Sequence, residues 1–289
     1  MTTDRTSQPP AAGPPGAPDH TTDGGAGPAA PTRWYLTPAG VRGLMAGSFV
    51  AFLLVWWGFV KVLHLSSLVL PTPLEVAGAL AEGLRGPLWI HIWVTLQEIV
   101  LGFLLGSLLG VGLGTLIAHS ELARRVLNPY LVASQAMPKL ALAPIFVIWF
   151  GFGITPKVVI AALICFFPLL ENTITGLNAV EETKLELFRM LTASRWQTFY
   201  KLRAPNALPF IFAGLRVAIV LSVVGAIVGE YVGANRGLGA LIIATQGSFD
   251  TPIMFSVFVV LTVVGTVLYK IMEVLEKVLF GWRYLRREG

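Results

Sequence analysis

The chain has 289 residues, of which 55% are hydrophobic and 13% charged, with a mean hydropathy of +0.72. A soluble domain carries about 25% charged residues, so these proportions exclude an ordinary water-soluble enzyme and point to an integral membrane protein. One cysteine, Cys165, excludes a disulfide framework and a thiolate metal cluster within one chain, while the formal charge of +5 keeps nucleic acid in view until the basic residues are located.

Residues 1–32 differ in kind from the rest. Pro9, Pro10, Pro14, Pro15, Pro18, Pro28 and Pro31 alternate with glycines, and large apolar side chains are nearly absent. Such a segment buries too little apolar area to offset its ordering entropy, which predicts a disordered tail. It lacks the apolar core of a secretory signal. Residues 33–289 then form a single membrane domain. Thr37-Pro38 reads as an N-cap followed by a first helical residue.

Six apolar segments follow: Leu44 to Leu63, Trp93 to Ala118, Tyr130 to Phe150, Val158 to Leu177, Leu208 to Val232 and Pro252 to about Met272. Each approaches the ~20 residues that a bilayer core requires. Pro138 and Pro144 interrupt the third and Pro168 lies in the fourth. Lipid cannot replace the lost backbone bonds, so those stretches should face protein or a water-filled path. Between the first two spans, Pro71-Thr72-Pro73 precedes Leu74, Ala77, Leu80, Ala81 and Leu84 at helical spacing. This pattern predicts a short amphipathic helix along the outer interface. In the second span Gly102, Gly106, Gly110 and Gly114 recur every fourth residue, and Gly112 is expected to widen the stripe. That spacing lets another helix approach closely, as a sliding contact or as static packing.

Orientation follows from the cations. Thirteen basic residues, from Arg33 and Arg42 through Lys184, Arg189, Arg195, Lys201 and Arg203 to Arg287, fall on the side holding both termini; only Lys61, Arg85, Lys157 and Arg236 fall opposite. The excess makes both termini cytoplasmic. The basic residues are thus topogenic, and nucleic acid drops out as a partner.

The connection at about residues 178–207 reads as two short amphipathic helices. Leu185, Phe188 (or Leu187) and Leu191 lie toward one face of the first. Thr192-Ala193 breaks it, Ser194-Arg195-Trp196-Gln197 has the form of a capping box, and Ala204-Pro205 ends the second. From the residues alone, docking of another protein and an interfacial position on lipid stand even.

This loop resembles the EAA loop of binding-protein-dependent ABC importer permeases. Glu186-Leu187-Phe188 stands at the E-A-A position, Thr192 at the glycine and Ala204-Pro205 at the terminal L-P. The glutamate and proline are kept; the alanines and the glycine are not. Ser134-Gln135-Ala136-Met137-Pro138-Lys139-Leu140-Ala141-Leu142-Ala143-Pro144, Trp149-Phe150-Gly151-Phe152-Gly153 and Gly229-Glu230-Tyr231-Val232-Gly233 resemble the nitrate/sulfonate/taurine branch. The first of these runs is similar to permeases for thiamine-precursor pyrimidines. The resemblance implies an all-α type I importer permease fold of about six transmembrane helices with a cytoplasmic coupling loop, in a bacterial cell membrane. It implies as partners an ABC ATPase subunit seated on Glu186, Thr192, Ala193, Ser194, Arg195, Trp196 and Pro205, an external binding protein, and a second copy of the chain. ATP and Mg²⁺ would then belong to the ATPase, with no cofactor on this chain.

Charges at bilayer depth are costly enough to mark functional candidates. Lys139, Glu171, Glu98 and Glu230, with Gln135 of the same run as Lys139, form the candidate translocation path. Lys139 either lines that path or pairs with Glu171 or Glu98. Arg216 is expected to snorkel to the cytoplasmic face, and Glu273 with Lys277 to form a solvated helix end. No catalytic constellation, metal-ligand spacing or phosphate-cradling loop is present in the sequence. The rival to an ABC permease is a secondary transporter driven by an ion gradient, which predicts inverted repeats.

Overall fold

The computed structural model describes residues 37–284, the side chains of 38, 39, 128, 132, 135 and 280–284 excepted. The tail of residues 1–32 and the side chain of Gln135 therefore lie outside the described residues. All regular secondary structure among the described residues is helical: α1 (Pro38–Val62), α2 (Pro73–Arg85), α3 (Leu88–His119), α4 (Glu121–Ala136), α5 (Ala143–Phe150), α6 (Ile154–Asn178), α7 (Glu182–Met190), α8 (Arg195–Thr198), α9 (Ala204–Tyr231), α10 (Leu238–Gly247) and α11 (Thr251–Tyr284). The chain divides into two compact units between Phe52 and Leu53. The described part of the first unit is the beginning of α1, where Thr37 Oγ1 accepts the Gly40 N–H at 3.1 Å, as an N-cap does. Everything below concerns the second unit.

Among the described residues five helices are long and apolar enough to cross a membrane, and they account for every expected span except the third. That one is not a single helix. It consists of α4, a 3-10 turn at Lys139–Leu142 and the eight-residue α5. Pro138 forces Met137 into extended backbone (φ −69°, ψ 130°), because its ring clashes with a helical predecessor. Pro144 is harmless in the first turn of α5, where no N–H is needed.

The centre of the unit is the packing of α6 between α3 and α9. Lipid tails are as apolar as leucine, so close contact rather than transfer from water holds such helices together. Glycine provides that contact. A Cβ on Gly106 would lie 2.4 Å from Cys165 Sγ and 2.5 Å from the Ala162 carbonyl. One on Gly102 would lie 2.4 Å from Ala161 Cβ, and Gly110 and Gly114 meet α6 in the same way. Gly112 does not share this face: nothing lies within 4 Å of its Cβ position. Two residues at 100° each carry it to the far side of the helix. Gly225 and Gly229 of α9, again four residues apart, bring α9 against α6 in the same way, their Cβ positions lying 2.6 Å from Ala161 Cα and 2.9 Å from Lys157 Cα.

Helix α2 begins with a full capping box, Thr72 Oγ1 accepting the Glu75 N–H and Glu75 accepting the Thr72 N–H at 2.8 Å. The Thr72 amide holds the Glu75 carboxyl below the usual carboxylate range. Its buried face differs from the expected one. Val76, Leu80 and Leu84 turn inward, α2 packs on α11, and Leu74 is left exposed.

Candidate functional site

The candidate path residues separate into two groups. The first is a buried cluster built where α9 turns into α10. Gly237 adopts a left-handed φ of +125° with its Cα against the Glu230 carboxylate, and any Cβ there would lie 2.1 Å from Glu230 Oε1. The turn sets Glu230 at the start of α10, where its Oε2 accepts the Gly239 N–H and its Oε1 accepts the Thr95 hydroxyl at 2.6 Å. Thr95 Oγ1 in turn accepts the Leu238 N–H at 2.7 Å, and His91 Nδ1 accepts the Gly237 N–H at 3.1 Å. A carboxylate at the unpaired amides of a helix start is favoured both by hydrogen bonds and by the helix dipole. Glu230 thus ties α3, α9 and α10 together.

Glu98 lies one turn beyond Thr95 on α3, is fully buried, and accepts the Lys157 ammonium of α6 at 2.6 Å. Its second oxygen has no hydrogen-bond partner among the described residues. Burial of both charges is tolerable only because they meet, since an isolated one would cost several kcal/mol. Lys157 was missed by sequence reasoning, which counted it as an outer-face cation. The signal was available: it stands in the first turn of an apolar helix, as charged for its surroundings as Lys139.

The second group is apart from this cluster. Lys139, half-buried in the 3-10 turn, holds its ammonium 4.4 Å above the Phe167 ring, a cation–π contact. Among the described residues no ion pair joins it directly to Glu98, whose partner is Lys157, and its nearest ring contact is on the same helix as Glu171. Glu171 is exposed on α6 one turn beyond Phe167, so Lys139, Phe167 and Glu171 share one side of that helix. Arg216 Nε meets Glu276 Oε2 of α11 at 3.4 Å, with both side chains largely covered. Glu273 receives Lys277 at 2.7 Å and also Lys270 at 2.5 Å.

In the loop between α6 and α9, α7 ends in a complete Schellman motif. The Ala193 N–H donates to Phe188 O at 3.0 Å and the Thr192 N–H to Arg189 O at 3.0 Å, the two bonds that define this stop. The motif requires a left-handed residue, and Thr192 takes φ +52°. The turn is therefore as tight as glycine would make it, with the strain carried by a β-branched residue. Ser194 then caps α8 reciprocally with Gln197 at 3.2 and 2.8 Å.

The second helix of the loop does not end at Ala204-Pro205. It continues through a π turn at Phe199–Arg203 into α9. Proline supplies no N–H to Lys201, and the wider turn accommodates that loss, the Ala204 N–H reaching back to Phe199 O. From Arg195 onward the loop is thus continuous with a core helix, and α7 joins it through the Thr192 turn. Leu187, Met190, Leu191, Trp196 and Tyr200 stand exposed on it, and Glu186 is exposed beside them.

A helical multi-pass chain with a capped loop fused to a core helix, and with charges tied in the membrane, defines a membrane-embedded translocation subunit. The chain belongs to the family of binding-protein-dependent transport system inner membrane components, whose model matches residues 102–280. It is thus an ABC transporter permease, a multi-pass protein of the inner membrane. It is 38% identical over 81% of its length to 88% of the riboflavin transport system permease protein RibX of Chloroflexus aurantiacus. It is 37% identical, over 81% of its own length and 94% of the relative's, to the formylaminopyrimidine transport permease protein ThiX of Halalkalibacterium halodurans. The putative aliphatic sulfonates transport permease protein SsuC of Bacillus subtilis is 33% identical over 75% of this chain and 79% of its own. A crystal structure of an amino acid ABC transporter with histidines shares the fold at a TM-score of 0.54 and 19% identity, covering 65% of this chain and 91% of that one.

Proposed function

We propose that two copies of this chain form the membrane pore of an importer for a small, planar nitrogen heterocycle. An external binding protein delivers the solute, and an ATPase drives the pore from the cytoplasmic side with its own ATP and Mg²⁺. The observation that carries the reading is the continuity of the 195–203 half of the loop with α9 through the π turn, with α7 held to that half by the Schellman turn at Thr192. Force applied to Trp196 and Tyr200 enters α9 along one continuous helix and reaches α6 and α3 through its packing, and force on Leu187, Met190 and Leu191 passes first through the capped turn at Thr192. Support for the substrate class comes from the side of α6 that Lys139 occupies, where Phe166 and Phe167 stand edge to face with centroids 4.9 Å apart, and from the relatives named for riboflavin and formylaminopyrimidine. Both termini are cytoplasmic in this reading.

The test is uptake by proteoliposomes holding the permease and the ATPase and binding protein encoded beside it. Uptake should require internal ATP and survive collapse of ion gradients; the reverse pattern sinks the proposal in favour of a secondary transporter. Glu186→Arg should leave the permease in the membrane but lower ATPase co-purification at least tenfold. Normal yield of the complex would remove Glu186 from the docking face.

A further inference from the structure

The loop has a second face that its exposed apolar residues do not line, although Ala193 and Arg195, which the resemblance assigns to the ATPase seat, border it. Between α7 and the α8–π segment lies a cavity of about 380 Å³ lined by Arg189, Arg195, Arg203, His119, Phe199 and Leu185 among others. None of the exposed apolar residues named above lines it. Helical spacing explains the gathering: Leu185 and Arg189 are four apart on one helix, and Arg195, Phe199 and Arg203 are four apart on the next. The ring of His119, the last residue of α3, lies 4.6 Å from that of Phe199 and closes the inner end.

The charge in this cavity is unbalanced. Arg189 meets Glu182 at 3.1 Å, but among the described residues no carboxylate is within ion-pairing distance of Arg195 or Arg203. Guanidinium groups are planar forks suited to phosphate. Only four residues lie between Arg203 and Leu208, the start of the apolar run of α9, a helical rise that puts the cavity near the level of lipid headgroups. Basic pockets at that level on the cytoplasmic side of transmembrane helices hold anionic headgroups.

We propose that this cavity binds a phosphate-bearing anion, its phosphate received by Arg195 and Arg203, with Arg189 and His119 alongside. A lipid phosphodiester and a free phosphate offer the same oxygens. The occupant bridges α7 to α9 and stiffens the coupling loop from behind, on the face away from the apolar docking residues.

The experiment uses the full-length permease in nanodiscs of phosphatidylcholine, with and without phosphatidylglycerol. Native mass spectrometry counts retained phosphatidylglycerol. Hydrogen exchange follows the 182–203 loop during titration with inorganic phosphate in discs of phosphatidylcholine alone. Arg195→Gln with Arg203→Gln removes the site; Lys184→Gln with Lys201→Gln removes the same charge outside it. Retention of phosphatidylglycerol by wild type and by the lysine variant, with at least a tenfold loss in the arginine variant, supports the site with lipid as the source. Protection of the loop by inorganic phosphate, lost in the arginine variant alone, supports it with a soluble source. Arg195→Gln by itself, at an exposed position, should lower retention at least threefold and keeps the test independent of folding.

Equal binding by all variants overturns the proposal, as does binding by none. So does loop protection that appears only when the ATPase is added, which assigns the arginines to acidic side chains of that subunit. None of these readouts requires transport, so failure here leaves the reading of the apolar docking face standing.

Discussion

Thr192 carries a conformation that its side chain opposes. An L-residue other than glycine pays about 1–2 kcal/mol in the left-handed region, and a β-branched one is an outlier there. The Schellman bonds from Thr192 and Ala193 hold it in place. Thr192→Gly relieves that strain at some cost in unfolded-chain entropy, and a net gain of about 1 kcal/mol is expected. Thermal unfolding in detergent would measure it, and an unchanged or lower midpoint would mean that the turn relaxes elsewhere. Lys157 poses the opposite case, since its value lies in its partner. Lys157→Met leaves Glu98 buried without a counter-charge, and breaking such a pair costs about 3–5 kcal/mol. Glu98→Met together with Lys157→Met removes both charges and should restore most of that loss. Equal destabilisation of the single and double variants in the same unfolding measurement would show that the ion pair is not what the cluster needs.

At the scale of elements, the glycine stripe of α3 allows a comparison within one helix. Gly106→Ala places a methyl group against Cys165 Sγ and the Ala162 carbonyl, closer than atoms approach, and overpacking of this kind costs about 1–3 kcal/mol. Gly112→Ala meets nothing and gains helix propensity, worth about 0.5–1 kcal/mol. Opposite signs are expected in unfolding midpoints; two losses of similar size would mean that α3 packs on both faces. Which glycines pack was legible because i, i+4 spacing maps to one face, and Gly112 was misplaced by neglecting that same geometry. The spans were legible because twenty apolar residues in a row have few other uses. The break at 137–142 was legible in its prolines, whereas the passage of α8 into α9 was not. A proline inside a helix usually stops it, and only the π turn, a tertiary adjustment, lets this one continue. Glu98 with Lys157 was hidden for a different reason: 59 positions separate them, and depth along a span does not say which helix faces which. Lys139 was flagged by depth alone, and its partner is an aromatic ring, which charge counting does not find.

For the whole molecule, the distribution of cations makes a claim about sides that packing cannot make. A helix bundle is as well packed with its loops inside or outside the cell; the positive-inside asymmetry breaks that symmetry. The chain suits a direct measurement because its one cysteine, Cys165, is fully buried between α3 and α6 and need not be removed. Leu74 at the start of α2 is 80% exposed and Met190 at the end of α7 is 76% exposed, so cysteines placed at the two positions are equally open to reagent. In intact cells, a membrane-impermeant maleimide should label Leu74→Cys and spare Met190→Cys. Opening the membrane should then label both to the same extent. Labelling of Met190→Cys from outside would reverse the orientation and move the arginine-lined cavity and the apolar docking face to the side where no ATPase acts. Labelling of both from outside would mean that the segments between α2 and α7 cross the membrane an even number of times, which requires that the broken α4–α5 stretch does not span. That outcome would turn Lys139 from a path residue into a surface one, so a single pair of cysteines decides both the sidedness and the role of the third segment.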